Sequence, residues 1–244
     1  MILLIIDLSN RIKLNMTLES KQVSVVMLGA SGAVGTEALN ALLQLKNIKQ
    51  ITLLGRSPIS NITASNVQQH KIDIGDASSY QNFVQNNTTA ICTLGVGQPS
   101  KISKEDFIKI DKTAVLDFAK ECKKAGVKHF ELLASVGISS TSSSFYLRTK
   151  GELAEELKAL NFDRLSIFQP SMILTPNNRY GIGQAITLKV WPLLKPVLLG
   201  GLRKYRGVPV NILGQAMAKN ILKEGEGYET LQWDDFYAIS KNHI

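Results

Sequence analysis

From Val23 onward, short apolar runs alternate with segments in which apolar residues recur every three or four positions. The runs are typical of strands buried on both faces, and the recurring positions are typical of amphipathic helices. Strands alternating with helices indicate βαβ units, and therefore a parallel sheet in an α/β fold. The pattern predicts strands at 23–28, 51–54, 67–72, 90–94, 129–133 and 165–168, and helices at 36–45, 77–85, 103–126 and 145–160.

The two ends of the chain depart from this pattern. Met1 to Ile6 is apolar, but the run is too short to cross a membrane and lacks the basic segment and cleavage site of a secretory signal. We therefore expect residues 1–22 to be an extension outside the core, the alternative being that the apolar run pairs as an extra strand, and residues 23–175 to form the main domain. After Pro170 the alternation stops, so residues 176–244 are expected to add loops and helices to the same domain.

A glycine-rich turn, Gly29 to Gly35 (GASGAVG), connects the first predicted strand to the first predicted helix. Within it, Gly32 lets the backbone approach a pyrophosphate, and Gly35 lets the helix pack closely on the strand. The helix N-terminus adds N–H groups and the positive end of its dipole. Such a turn can be purely structural, but its place between strand and helix predicts a dinucleotide-binding Rossmann fold with a doubly wound parallel sheet. The residues assigned to the dinucleotide are Gly29, Ser31, Gly32, Ala33, Val34 and Gly35.

The residues after the second predicted strand indicate which dinucleotide binds. In proteins that bind NAD, an acidic residue here contacts the ribose 2′-hydroxyl, whereas a basic residue suits the 2′-phosphate of NADP. This chain has Arg56 and Ser57 at that place and no acid. A guanidinium can donate two hydrogen bonds to a phosphate, and the serine hydroxyl can add another. We therefore predict NADP rather than NAD, the alternative being a solvated arginine in a loop.

Three polar residues near the fifth predicted strand suit proton transfer. Tyr146 and Lys150 are four residues apart on a predicted helix, so their side chains share one face. An ammonium close to a phenol stabilises the phenolate, which suits a general acid and base. Ser135 follows strand five, at the edge where an open α/β sheet binds ligands. A Tyr–Lys pair at this spacing also arises by chance, so the spacing alone is weak evidence. The prediction that these three residues are catalytic rests on their position, directly after the fifth predicted strand.

Several segments together resemble the short-chain dehydrogenase/reductase superfamily, and within it the atypical branch of the Tat-interacting-protein oxidoreductase and its bacterial relatives. The resemblance implies that Tyr146 donates or accepts the proton, that Lys150 holds the nicotinamide ribose, and that Ser135 orients the substrate carbonyl. The matching segments are MLGASGAVG, TLLGR, CTLG, KHFELLASVG, FYLRTKGE and FDRLSIFQPS, over about residues 23–174, with RKYRGVPV at 203–210.

The resemblance has consequences for other positions as well. Asp111 stands where many members of the superfamily have an asparagine, and Gln169 stands where an arginine commonly precedes a proline. A proton relay through an asparagine is therefore not carried over to this chain. The remaining cofactor contacts implied by the resemblance are Asp73 and Ile74 at the adenine, Leu94 and Gly95 where the chain passes the cofactor, and Pro170 after strand six.

Charge and composition indicate which partners the chain binds and in which cellular compartment it functions. The formal charge is +8, but the basic residues are dispersed, so nucleic acid is not predicted as a partner. The two cysteines, Cys92 and Cys122, are far apart, which favours a reducing, cytoplasmic location. The three histidines share no ligand spacing, so no metal site is predicted.

Residues 186–206 mix apolar side chains with lysines, arginines and prolines, and the prolines exclude a plain membrane-spanning helix. We expect this segment to form a small cap on the substrate side, over an apolar small molecule. A weak contact with a membrane surface is the alternative.

Two classes of function remain open. The first is an NADP-dependent oxidoreductase acting on a carbonyl/alcohol pair, or an epimerase- or dehydratase-like variant of that chemistry. The second is a non-catalytic protein that senses NADP(H), in which Tyr146 and Lys150 mainly hold the ribose. The complete Ser135, Tyr146 and Lys150 set favours the enzyme. The chain is expected to be a monomer or a homodimer.

Overall fold

The computed structural model describes residues 22–176 and 198–242. Its centre is a seven-stranded sheet in the order β3-β2-β1-β4-β5-β6-β9, and all neighbouring strands pair in parallel. A separate parallel pair, β7 with β8, lies beyond β6 in the chain. The strands are β1 (Val23–Leu28), β2 (Ile48–Gly55), β3 (Val67–Lys71), β4 (Thr89–Cys92), β5 (His129–Leu133), β6 (Arg164–Phe168), β7 (Ile173–Leu174), β8 (Val208–Pro209) and β9 (Gly227–Leu231).

Helices cover both faces of the sheet, as a doubly wound fold requires. One apolar core holds Leu39 and Leu213 against β1 and β2, and the other holds Phe118 and Leu157 against β4 and β5. The predicted Rossmann fold is therefore confirmed. The helices are α1 (Ala33–Leu42), α2 (Lys104–Ile108), α3 (Ala114–Lys124), α4 (Phe145–Ala159), α5 (Val210–Asn220) and α6 (Trp233–Lys241), with 3₁₀ helices at Ala77–Ser79, Pro99–Lys101 and Gly200–Tyr205.

The predicted helix over residues 77–85 is wrong. Only one 3₁₀ turn, Ala77–Ser79, forms there, because the Asp76 carboxylate accepts hydrogen bonds from both the N–H and the hydroxyl of Ser78. Such local bonds to a short polar side chain compete with helical backbone bonds. The segment ends at Asn86, whose φ of 62° is in the left-handed region.

The expectation that residues after Pro170 supply only loops and helices is also wrong. β9 pairs with β6 over the full length of both strands and completes the sheet. Its sequence, GYETL, lies at the edge, where four of its five residues are exposed or half-buried. An edge strand does not need an apolar run, so hydrophobic patterning alone does not detect it. The C-terminal segment therefore builds part of the nucleotide-binding fold itself.

A buried polar network crosses β5, β6, β9 and α5. The Arg164 guanidinium donates to Glu229 Oε1 from Nε at 2.9 Å, and to Asn220 Oδ1 at 2.8 Å. Asn220 donates in turn to Glu131 Oε1 at 2.8 Å, but Glu131 Oε2 has no hydrogen-bond partner among the described residues. Burial raises the pKa of Glu131 well above its usual range, although Asn220 and Arg164 act in the opposite direction. The fold therefore favours the uncharged form of this carboxyl group.

Replacing Glu131 with glutamine is expected to change stability in a pH-dependent way. The raised pKa in the folded state means that ionisation favours the unfolded chain as the pH rises above the usual carboxyl pKa. The amide keeps an acceptor for Asn220 and removes that loss. The free energy of unfolding should match the wild type near pH 4 and exceed it near pH 8, by about 1.4 kcal/mol for each unit by which folding raises the pKa of Glu131. Urea denaturation across this pH range measures the difference.

Glu229→Gln is the matched control, with the opposite sign. Burial raises the pKa of Glu229, but hydrogen bonds from Ser166 and Arg164 outweigh it, so the net pKa is lowered. This variant should lose stability at neutral pH, and the loss should vanish as the pH falls through the pKa of the folded state. If the two glutamine variants gave parallel curves of stability against pH, the assignment of the uncharged form to Glu131 would be wrong.

Candidate active site

The glycine-rich turn between β1 and α1 has no room for side chains at two positions. Gly29 adopts a φ of +92°, and a Cβ atom there would lie 2.6 Å from the backbone nitrogen of Leu94. A Cβ on Gly35 would lie 2.2 Å from the carbonyl oxygen of Gly29. The hydroxyl of Thr93 donates to the same oxygen at 2.9 Å and ties the turn to the end of β4. The predicted close approach of helix and strand is therefore present, and Thr93 is a supporting residue that the motif alone did not indicate.

The N-terminus of α1 fits the phosphates of a dinucleotide. Gly32 is the N-cap, and its N–H donates back to Gly29 at 3.0 Å, which folds the turn tightly under the helix. The Thr36 hydroxyl donates to the Gly32 carbonyl at 2.8 Å, so the first turn is held from within. A glycine cap has no side chain to cover the N–H groups of Ala33 and Val34. These N–H groups and the helix dipole suit a pyrophosphate.

The residues assigned to the adenosine end lie at the carboxyl ends of β2 and β3. Arg56 and Ser57 are exposed directly after β2, and no described residue forms an ion pair with Arg56. Asp73 is exposed after β3, where its carboxylate accepts from the N–H of Gly75 at 2.9 Å. Ser31, Ser57 and other residues line a cleft between the glycine turn and these strand ends. The positions suit a 2′-phosphorylated ribose, although they do not by themselves select NADP.

Tyr146 and Lys150 lie in the first turns of α4, as predicted. The Lys150 Nζ is 5.7 Å from the centroid of the Tyr146 ring, so both side chains lie on the same face of the helix. Tyr146 is half-buried, and its ring packs against Phe107 with centroids 5.6 Å apart. The phenol is therefore fixed by packing while part of it stays accessible.

Ser135 and Pro170 are brought together by the backbone. The N–H of Val136 donates to the Pro170 carbonyl at 2.9 Å, and the N–H of Ala134 donates to the Phe168 carbonyl at 2.8 Å. Ser135 therefore follows β5 beside the end of β6, at the carboxyl edge of the sheet. This is the edge that also carries the glycine turn and Leu94, where an open α/β sheet binds ligands.

Asp111 is a site residue whose contacts sequence reasoning did not find. Its carboxylate Oδ1 lies 2.9 Å from Lys150 Nζ, and its Oδ2 accepts from the N–H of Val96 at 2.8 Å. Burial alone would lower the pKa of the Lys150 ammonium, but the carboxylate of Asp111 outweighs this, and the net pKa is above the usual range. Lys150 is therefore a fully charged ammonium with a buried counter-ion.

The substrate side is only partly described. Most of the predicted cap over 186–206 lies outside the described residues, as does the extension before Gln22. In the described part, Leu199 and Leu202 are exposed on and beside the 3₁₀ helix Gly200–Tyr205. Arg203 pairs with Asp234, which joins this helix to α6.

The described ranges 22–176 and 198–242 show neither a metal site nor a membrane-spanning helix. Within these ranges, no group of three or more His, Cys, Asp or Glu side chains is arranged to hold a metal ion. Over the same residues, no helix combines the length and the apolar character needed to cross a bilayer. Cys92 and Cys122 are both buried free thiols.

Comparison with known proteins identifies the family. The family described as NAD(P)H-binding matches residues 29–184, which include the glycine turn, Tyr146 and Lys150. The chain belongs to the NAD(P)H-binding family. One relative in sequence is Protein HTATIP2 of Rattus norvegicus, 31% identical over 223 residues, 91% of this chain and 90% of that protein. Another is Protein FMP52, mitochondrial, of Meyerozyma guilliermondii, 34% identical over 177 residues, 70% of this chain and 74% of that protein.

Solved structures share the fold of this NAD(P)H-binding protein. UDP-N-acetylglucosamine 4-epimerase from Methanobrevibacter ruminantium M1 superimposes with a TM-score of 0.66 at 16% identity, over 87% of this chain and 77% of that one. A short chain dehydrogenase family protein from Francisella tularensis gives 0.59 at 15% identity, over 89% and 99%. These identities establish the fold alone. The resemblance to short-chain dehydrogenases/reductases is confirmed at that level, and the nucleotide is NAD(P).

Proposed function

We propose that the chain is an NADP-dependent oxidoreductase that acts on a carbonyl/alcohol pair. The observation that carries this proposal is the placement of Tyr146, Lys150 and Ser135 at the carboxyl edge of the sheet that also holds the glycine turn. A dinucleotide on that turn runs along the same edge toward these three side chains. A panel of aldehydes, ketones and alcohols, followed by the absorbance of NADPH, tests the activity directly.

The three side chains have separate roles in this reaction. Bound NADPH supplies the hydride. The Tyr146 hydroxyl donates its proton to the carbonyl oxygen, and the Ser135 hydroxyl donates a hydrogen bond that orients the same oxygen. The Lys150 ammonium holds the ribose hydroxyls and stabilises the negative charge left on Tyr146. In the oxidising direction each proton moves in reverse.

The substrate is proposed to be a small apolar molecule rather than a nucleic acid or a peptide. The support is a pair of exposed leucines, Leu199 and Leu202, at the 3₁₀ helix Gly200–Tyr205. This helix leads into β8, and β8 pairs with β7, the strand that follows β6 in the chain. Exposed apolar side chains close to a ligand-binding edge suit an apolar substrate. The free, buried thiols of Cys92 and Cys122 support a reducing, cytosolic location for this chemistry.

A preference for NADP over NAD is part of the proposal and rests on Arg56. Arg56→Ala should weaken NADPH binding by about 1.5–3 kcal/mol, the range for a charge-assisted hydrogen bond, and barely change NADH binding. Isothermal titration calorimetry with both nucleotides measures the difference. Lys128→Ala is the matched control, because it removes an exposed cation directly before β5. Lys128 therefore lies at the amino ends of the strands, whereas the nucleotide is proposed to bind at their carboxyl ends. Equal affinities of the unmodified protein for NADPH and NADH would contradict the preference.

A further inference from the structure

Asp111 connects three parts of the site. It lies in a single π-helical turn, Lys109–Thr113, between α2 and α3, and only 1% of it is exposed. Its two carboxylate oxygens have different partners: one contacts the Lys150 ammonium at 2.9 Å, and the other accepts from the N–H of Val96 at 2.8 Å. Single π-helical turns inside α-helices frequently occur at functional sites.

The loop after β4 is packed directly on this carboxylate. A Cβ atom on Gly95 would lie 3.1 Å from Asp111 Oδ1, so the backbone approaches closely there. Leu94 and Gly95 in this loop are two of the residues that the superfamily resemblance predicts to contact the cofactor. The position of that loop and the position of the Lys150 ammonium are therefore set by the two oxygens of one side chain.

Asp111 is also the only anion that faces Lys150 among the described residues. The groups that act on the ammonium are Asp111 from the π-helical turn, Tyr146 from its own helix and Cys92 from β4. Burial raises the pKa of the Cys92 thiol to about 12, so this thiol is uncharged. Lys150 is only 6% exposed, and an ammonium without a counter-ion is strongly disfavoured at such burial.

We propose that Asp111 is a positioning residue that keeps Lys150 charged and oriented. It also fixes the loop after β4, through its hydrogen bond with the N–H of Val96. An asparagine at this position would still accept from the Val96 N–H, but it would leave Lys150 without a counter-ion. The carboxylate therefore contributes charge where an amide contributes only a hydrogen bond. The proposal builds on the proposed function for the role of Lys150, and its test uses binding and spectroscopy, so it does not depend on finding a substrate.

Asp111→Asn isolates the charge, and Asp117→Asn is the matched control. Asp117 lies on the adjoining helix α3 and pairs with Lys120 at the surface. In ¹³C-labelled lysine spectra, with Lys150 assigned through Lys150→Arg, the Lys150 titration should move to lower pH in Asp111→Asn and stay unchanged in Asp117→Asn. The dissociation constant for NADPH should be near the wild-type value at pH 6 and about tenfold higher at pH 9, where Lys150 loses its charge.

A purely structural role would weaken NADPH binding equally at both pH values and leave the Lys150 resonance unmoved, and that result would overturn the proposal. If Asp111→Asn unfolds, the double variant Asp111→Asn/Lys150→Met tests the same ion pair. Removing both charges should restore much of the melting temperature that the single change loses. A double variant that melts no higher than Asp111→Asn would also overturn the proposal. Absence of turnover with every carbonyl would count against the proposed function alone.

Discussion

Tyr146→Phe is expected to lower kcat/KM for carbonyl reduction by about 10²–10⁴-fold, the contribution of a positioned acid or base. The phenyl ring still packs against Phe107, so the fold and the NADPH dissociation constant should hardly change. Steady-state kinetics on the best substrate of the carbonyl panel, together with calorimetry for NADPH, gives both quantities. Lys150→Ala should impair both, because it removes a ribose contact and leaves Asp111 as a buried anion without its partner.

Tyr228→Phe is the control for this experiment, because Tyr228 is exposed on β9, where its hydroxyl accepts from Thr230 and its ring lies beside Lys158, away from the site. A protein that senses NADP(H) without catalysis predicts a different pattern. In that case Tyr146→Phe would be silent in every assay, and only variants in cofactor contacts would have an effect. No turnover by the unmodified protein in a broad panel of carbonyls and alcohols would favour the sensor over the oxidoreductase.

Gly35→Ala should abolish measurable NADPH binding, with a loss of at least about 100-fold in affinity. The added Cβ would lie 2.2 Å from the Gly29 carbonyl oxygen, and that oxygen is also held by Thr93, so the turn must open. Opening the turn moves the N–H groups of α1 away from the pyrophosphate. The same overlap should lower the melting temperature by several degrees, because about 1–3 kcal/mol is typical of overpacking.

Gly201→Ala is the matched control, since a Cβ atom there meets no atom of the described residues within 4 Å. Gly32→Ala separates the loss of binding from a general loss of stability. Among the described residues, its Cβ would contact the Gly29 carbonyl oxygen alone, at 3.2 Å, so the fold should persist. The added methyl group should leave less space for the phosphates beside the turn. A Gly35→Ala protein with wild-type melting and wild-type NADPH affinity would show that the turn is not the nucleotide site.

Features coded by adjacent residues could be predicted from the sequence. The glycine turn needs only one strand, one turn and one helix in succession, and the strand His129–Leu133 has the bounds predicted from the sequence. Tyr146 and Lys150 could be paired because helical geometry alone places residues four apart on one face. The predicted helix ending at Gly126 also has a C-terminal glycine, with a positive φ of 84°.

Features that depend on distant residues could not be predicted in the same way. The contact between Asp111 and Lys150 joins the π-helical turn before α3 to α4, and β5 lies between them in the chain. The superfamily resemblance marked Asp111 as unusual, but it did not show which group the carboxylate contacts. β9 was missed for a different reason: its residues are mostly exposed at an edge, so their burial gives no periodic signal.

The place of β9 and α5 in the fold has a consequence for synthesis on the ribosome. When the chain has emerged as far as Pro170, the glycine turn and the Ser135, Tyr146 and Lys150 set are already made. However, Leu213 and Met217 of α5 belong to the same apolar core as Leu39 of α1, and β6 still has an unpaired edge. The nascent nucleotide site therefore exposes apolar helix surface and a free strand edge, both of which promote aggregation. Residues 210–241 must leave the ribosome before the core around α1 and the sheet at β6 can be completed.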